Sequence, residues 1–177
     1  CFEPDTMNLW RREGKEVWLY VCISAQRPYA NIWGIDYPGT DHRIVFWQLW
    51  RYGVQGFLYW NVSYWQENPW ENPMTYPGGN GDGSLLYPGE EGPIHSLRWE
   101  ILRDGIEDYD YLALLEATLM RARRARVDPA LLREAEGLLD VSPVCHSFTD
   151  YTEDPNVIET HRRRVGEMIQ RLRQAVR

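Results

Sequence analysis

The chain has 177 residues, which is the size of one ordinary domain or of a piece of a larger one. Hydrophobic residues make up 44% and charged residues 25%, a composition typical of globular proteins and not of disordered ones. The 19 basic and 26 acidic residues give a net charge of −7, which argues against nucleic acid as the main partner because phosphate binding needs a basic surface. No apolar run approaches the roughly 20 residues of a transmembrane helix, so no membrane span is predicted.

The chain begins with Cys1 and not with Met. A mature lipoprotein also begins with cysteine, but residues 2–5 do not form a flexible polar tether, so we interpret the start as a truncation. The three cysteines are odd in number and far apart, which is not the pattern of a disulfide framework.

Two apolar runs, residues 17–23 and 56–62, predict strands that are buried on both faces. Residues 7–12 are predicted to be the end of a helix that Gly14 closes before the first run. Between the two runs, Thr40 or Asp41 can cap a helix that is apolar nearly all round and ends at Gly53. The connection from this helix to the second strand is very short, so the three elements indicate a βαβ unit with parallel strands.

The rest of the chain predicts an irregular stretch at 64–93 followed by three helices. The first helix runs from about His95 to Leu119, the second begins at Asp128 and Pro129, and the third covers roughly 157–176. The apolar stripe of the first helix is predicted to face the strands; it consists of Leu102, Ile106, Tyr109, Leu112 and Leu115.

Both strand-to-helix connections are long, and the second is near thirty residues. In α/β barrels such loops lie at the carboxyl ends of the strands and build the active site. Aromatic and amide side chains concentrate in these loops, and sugars offer C–H faces to indole and phenol rings and hydroxyls to amides. A carbohydrate site is therefore predicted at this face, whereas Trp10, Trp18, Trp47 and Trp50 are predicted to lie in the core.

The loops also contain carboxylates. Asp36 is expected either to pair with Arg43 or to act chemically, and Glu67 is the best isolated candidate for a reacting carboxylate. Residues 80–83, Asn-Gly-Asp-Gly, are interpreted as a tight turn and not as a calcium loop, because such loops need several acidic ligands. The four histidines show no metal spacing, and no metal or cofactor is predicted.

Several motifs then follow one another in a recognisable order. They are Asp36-Tyr37-Pro38, Phe46-Trp47, residues 56–60 (Gly-Phe-Leu-Tyr-Trp), Asn68-Pro69-Trp70, residues 81–89 (Gly-Asp-Gly-Ser-Leu-Leu-Tyr-Pro-Gly) and residues 97–111, which contain Arg103-Asp104-Gly105-Ile106-Glu107-Asp108-Tyr109. Over roughly residues 17–115 the chain resembles the C-terminal segment of the glycoside hydrolase family 123-like catalytic domain.

The resemblance implies an α/β fold, in which about two parallel strands are the last part of a (β/α)8 barrel of the TIM type. It divides the chain into barrel residues 1–120 and a packed helical extension at 121–177. It also implies a substrate-assisted β-N-acetylgalactosaminidase, in which the 2-acetamido oxygen of the sugar attacks the anomeric carbon. An Asp steadies the acetamido group, and the adjacent Glu is the acid/base.

The chain contains no Asp-Glu dipeptide. Glu107-Asp108 has the reverse order and is expected to pair with Arg98 or Arg103. We therefore expect a fragment that supplies walls of a pocket for an N-acetyl-hexosamine carbohydrate, with the missing N-terminal part of the barrel as its partner and with no catalytic residue of its own. The alternative is a non-enzymatic carbohydrate-binding or structural domain.

The predicted substrate-binding residues are Trp60, Trp65, Tyr37, Asn61 and Glu67. Trp60 is expected to be the platform beneath the sugar ring, with Trp65 and Tyr37 as flanking contacts and Asn61 as a weaker one. By strand alternation, Tyr59 and Asn61 are expected to point away from the face that Trp60 occupies, except where the strand twists out near the rim.

Overall fold

The computed structural model describes residues 3–176, so Cys1 and the alternatives attached to it lie outside the described residues. Five helices and four short strands follow in the order helix, strand, helix, three strands, three helices. Their bounds are α1 Pro4–Arg12, β1 Trp18–Tyr20, α2 Gly39–Tyr52, β2 Gly56–Leu58, β3 Leu86–Pro88, β4 Pro93–His95, α3 Leu97–Arg124, α4 Pro129–Leu139 and α5 Pro155–Ala175.

The first two strands form the predicted parallel unit. β1 pairs with β2 in the register Trp18 to Gly56, Leu19 to Phe57 and Tyr20 to Leu58, and α2 is the connection between them. The chain therefore has α/β structure, and the carboxyl ends of both strands open into the two long loops.

The sequence-based expectation that both strands are buried on both faces is wrong for the described chain. Leu19 is buried, but Trp18 and Tyr20 are 59% and 47% exposed. The helices cover one face of the two-stranded sheet, and in residues 3–176 no layer covers the other. Trp10 on α1 is also exposed, whereas Trp47 is buried as predicted and Trp50 packs against the core.

α3 is the central helix and packs against α2, α4 and α5. Gly105 allows α2 to approach closely, because a Cβ at this position would stand 2.5 Å from the Phe46 ring and 3.1 Å from the backbone oxygen of Arg43. The predicted stripe is buried at Leu102, Leu112 and Leu115, but Ile106 is 48% exposed. The predicted boundary at residue 120 falls inside α3.

Local capping residues define the starts of the last two helices. Asp128 accepts a hydrogen bond from the Ala130 amide at 2.9 Å, and Asp154 accepts one from Asn156 at the same distance. Each is followed by a proline in the first helical turn. The expected cap of α2 is wrong: Pro38 stands at its N-cap, and no side chain caps the helix.

The irregular stretch contains a hairpin that the sequence analysis missed. β3 and β4 pair antiparallel, with Leu86 opposite His95 and Pro88 opposite Pro93. Prolines and glycines are depleted in strands generally, so their presence in this segment argues against a strand when only the sequence is considered. Among the helices of residues 3–176, none combines the length and the apolar character that crossing a membrane requires.

Candidate functional site

A buried carboxylate, Asp82, organises the loop that follows β2. Its side chain is buried, and one of its oxygens, Oδ1, accepts hydrogen bonds from the Tyr59 hydroxyl at 2.5 Å and the Trp60 indole N–H at 2.9 Å. The other oxygen, Oδ2, accepts a hydrogen bond from the Tyr76 hydroxyl. Three aromatic donors thus surround the two acceptor oxygens of this side chain.

Two glycines with left-handed backbone hold Asp82 in this position. Gly81 has φ +82° and Gly83 has φ +75°, a region that L side chains disfavour. A Cβ at Gly83 would stand 2.6 Å from Cζ2 of Trp60, so the indole lies directly against this backbone. The Gly83 amide in turn donates to the Tyr59 hydroxyl at 2.7 Å.

The tyrosines of this cluster are held in their donor form. Burial and the hydrogen bond to Asp82 raise the pKa of Tyr59 and of Tyr76 well above the ordinary value of 10.0. Burial, with the nearby Cys22 and Asp82, also raises the pKa of Tyr20 at the end of β1. The Tyr59 and Tyr76 phenols therefore stay protonated at neutral pH.

The alternation expected within the strand does not extend to Tyr59 and Trp60, since both donate to the same oxygen of Asp82. The physical reason is that β2 ends at Leu58, so strand alternation no longer applies at residues 59 and 60. Trp60 keeps 38% of its surface exposed, and its ring packs on Tyr64 with centroids 4.9 Å apart.

The other predicted binding residues occupy separate places. The Tyr37 hydroxyl donates to Gln26 in the first loop, and its ring packs edge-on against Trp33. The Trp65 indole donates to the Leu86 carbonyl at 2.9 Å, outside the Asp82 cluster.

The two polar candidates are engaged locally. The Asn61 side-chain oxygen accepts from the backbone amides of Val62 and Ser63, so it forms a turn. Glu67 is exposed and accepts from the Asn72 amide at 3.0 Å. Neither side chain hydrogen-bonds to Asp82, and as sugar contacts both remain predictions.

Arg98 connects the two long loops through hydrogen bonds. Its buried guanidinium donates to the backbone oxygens of Trp33, Gly81 and Ser84, and not to the carboxylates of Glu107 or Asp108 that were expected as partners. Burial lowers the pKa of this guanidinium below its usual range. Asp36 likewise accepts from the Asn80 amide, and not from Arg43.

The sequence placed Asp82 among the carboxylates near this face but predicted no binding role for it, and Tyr76 was missed. The available signal was an Asp between two glycines in an aromatic-rich segment, and the tight-turn interpretation accounted for it equally well. Within residues 3–176, no three His, Cys, Asp or Glu side chains are grouped closely enough to hold a metal ion.

The chain matches the model of a known protein family. The family model described as "Glycoside hydrolase 123, catalytic domain" matches residues 3–115, well over half of the chain and including both long loops. A comparison with curated proteins found no match. The match ends within α3, so α4 and α5 lie beyond it.

Proposed function

Since the chain belongs to the glycoside hydrolase 123 family, we propose that it forms part of a sugar-binding wall in the catalytic barrel of a β-N-acetylhexosaminidase. The sugar is of the N-acetylgalactosamine type, and the reaction is substrate-assisted. Trp60 is the platform beneath the ring, and Asp82 is the positioning residue that holds this platform.

The observation that carries this proposal is the shared hydrogen bonding of Asp82. Since the Trp60 N–H is already satisfied by Oδ1, the exposed part of the indole offers a ring face whose orientation is fixed. A pre-oriented ring loses little entropy when a sugar stacks on it. Tyr76 is fixed by the same carboxylate, which supports a pocket built as a unit.

The uncovered face of the β1–β2 sheet supports a larger barrel. Parallel strands are ordinarily buried on both faces, yet Trp18, Tyr20 and Leu58 are about half exposed or more. Beside β2 lies an apolar cavity of about 450 Å³ whose walls include Phe57, Leu102 and Ile106. We infer that further strands and helices of the barrel cover these surfaces in the complete catalytic domain, with residues 121–177 as a packed helical extension.

The carboxylates that perform the reaction are proposed to lie outside this chain. Substrate assistance needs an Asp that stays ionised beside a Glu that carries a proton, and the 177 residues contain no Asp-Glu pair. The residues of this chain bind and orient the sugar.

Saturation-transfer NMR of the purified chain with N-acetylgalactosamine, N-acetylglucosamine and galactose tests the binding role. We expect the N-acetyl sugars to bind and Trp60→Ala to abolish their signal. Trp10→Ala is the matched control, because Trp10 is similarly exposed on α1, and it should leave binding unchanged. No binding by the wild-type chain, or equal loss in both variants, would contradict the assignment.

An assay with an aryl N-acetyl-hexosaminide tests the catalytic part. The chain alone should show no turnover, because the acid/base pair contributes much of the rate enhancement. Turnover that Glu67→Gln abolishes would instead make Glu67 the acid. If a complete reading frame that contains this chain also lacks activity while sugar binding persists, the non-enzymatic binding domain is the correct function.

A further inference from the structure

Three tryptophans are arranged along one segment of the second loop in the order in which they occur in the sequence. Trp60 lies against Gly83, the Trp65 indole donates to the Leu86 carbonyl, and the Trp70 indole donates to the Pro88 carbonyl at 2.9 Å. Residues 83–88 thus form a common backing for indoles spaced five residues apart in the chain.

The outer two indoles lie along the edge of β3 that faces away from β4, where the Leu86 amide also donates to the Val62 carbonyl at 2.8 Å. The other edge of this strand pairs with β4, through Tyr87 opposite Ile94. Carbonyls two residues apart point the same way, so Leu86 and Pro88 present theirs to Trp65 and Trp70, about 7 Å apart along the strand. Both indole N–H groups are therefore satisfied, and the ring orientations are fixed.

The rings remain accessible although they are anchored. Trp65 is 37% exposed and Trp70 is 56% exposed, and the Trp70 ring packs against Tyr87 with centroids 4.8 Å apart. Protection of a strand edge needs only the N–H groups, so it does not explain why the large apolar faces are left in solvent.

We propose that Trp65 and Trp70 are outer sugar-binding positions, which hold successive units of a linear, uncharged oligosaccharide whose end sugar stacks on Trp60. This deepens the proposed function and rests on it. An uncharged chain fits because the flanking charges are acidic and would repel an anionic one. These charges are Glu67, Glu71, Glu90 and Glu91.

The arrangement also indicates the direction of the bound chain. Trp60 is the member of the row that belongs to the Asp82 cluster, and Trp70 is the farthest from it along residues 83–88. The terminal sugar would lie at Trp60 and the remainder of the oligosaccharide would extend past Trp65 to Trp70.

Isothermal titration of the purified chain tests the inference with two probes, N-acetylgalactosamine and an uncharged tetrasaccharide that ends in β-linked N-acetylgalactosamine. We expect the tetrasaccharide to bind at least about tenfold more tightly. Trp70→Ala should remove about tenfold of its affinity and leave the monosaccharide affinity within twofold. Trp10→Ala, which alters an exposed indole elsewhere, should change neither affinity.

Indole N–H signals in a ¹H–¹⁵N spectrum of the wild-type chain give a second readout that does not depend on the folding of an alanine variant. The Trp70 signal, assigned by its loss in Trp70→Phe, should shift with the tetrasaccharide and not with the monosaccharide. If the monosaccharide shifts Trp60 but the tetrasaccharide leaves Trp70 unmoved, this inference is overturned and the proposed function stands. If neither probe shifts Trp60, the proposed function itself is overturned.

Discussion

Arg43 and Asp108 form a buried two-point ion pair that joins α2 to α3. The Arg43 Nε–Asp108 Oδ2 distance is 2.5 Å and the Nη2–Oδ1 distance is 2.9 Å. Asp108 also accepts from the Trp47 indole, and Arg162 of α5 lies 3.3 Å from it. Asp108 therefore connects α2, α3 and α5 to one another.

The first prediction concerns this pair. Asp108→Ala removes the acceptor of Arg43 Nε and Nη2 and leaves the buried guanidinium with Glu159 alone, so the free energy of unfolding should fall by about 3 kcal/mol. Arg103, one of the two expected partners of Asp108, is 63% exposed and pairs with Glu100 at 2.8 Å. Arg103→Ala should therefore cost less than about 1 kcal/mol. Urea denaturation of both variants measures the difference, and equal losses would contradict this account.

The second prediction concerns Asp82. Asp82→Asn replaces one carboxylate oxygen with an amide N–H₂ group. At least one of the donors Tyr59, Trp60 and Tyr76 then loses its acceptor and faces the new amide donor instead. The free energy of unfolding should fall by about 3 kcal/mol, and N-acetylgalactosamine binding should weaken. Asp36→Asn is the control, because Asp36 is exposed and accepts one bond from Asn80; it should cost under about 1 kcal/mol.

The sequence predicts best those features whose determining residues are neighbours in the chain. The starts of α4 and α5 are encoded by neighbours in the chain, an Asp followed by a Pro, and both helices were predicted to within about two residues. The partner of Asp108 is 65 residues away in α2, and spacing along α3 alone favoured Arg98 or Arg103 instead.

The candidate site also has a part that the sequence predicts and a part that depends on distant residues. An apolar run at 56–62 predicted a strand with Trp60 near its carboxyl end, and Trp60 does follow β2, but the run does not reveal that pairing stops at Leu58. The role of Asp82 depends on Tyr59, 23 residues earlier, and on Tyr76. These partners meet only once the loop has folded, so Asp82 could be identified as the organising residue only from the structure.

The third prediction uses two adjacent buried groups with opposite pKa shifts. Burial raises the pKa of Asp41 from 3.8 to about 6, although Arg27 opposes it. Burial, reinforced by Arg98, lowers the pKa of His42 from 6.5 to about 4. The stability that Asp41 contributes is present below pH 3.8 and is lost as the pH rises to 6. The stability that His42 contributes is present above pH 6.5 and is lost as the pH falls to 4.

In the wild type these two dependences should largely cancel between pH 4 and 6. Asp41→Asn leaves His42, so stability relative to the wild type should rise by about 3 kcal/mol across this range. His42→Gln leaves Asp41, so stability relative to the wild type should fall by a similar amount. Urea midpoints at pH 4, 5 and 6 measure both slopes, and slopes of the same sign in the two variants would refute the assignment.

The fourth prediction separates backbone strain from contact with Trp60. Gly78 and Gly83 have φ of +81° and +75°, but a Cβ at Gly78 would meet nothing within 4 Å, whereas a Cβ at Gly83 would meet Trp60 at 2.6 Å. Gly78→Ala should cost only the left-handed backbone penalty, about 1 to 2 kcal/mol, and should leave N-acetylgalactosamine binding intact. Gly83→Ala pays the same penalty and also displaces the Trp60 indole from Asp82, so it should lose sugar binding as well. Thermal unfolding and saturation-transfer NMR of the two variants check this; binding that survives in Gly83→Ala would show that the position of Trp60 against Gly83 is not what the sugar recognises.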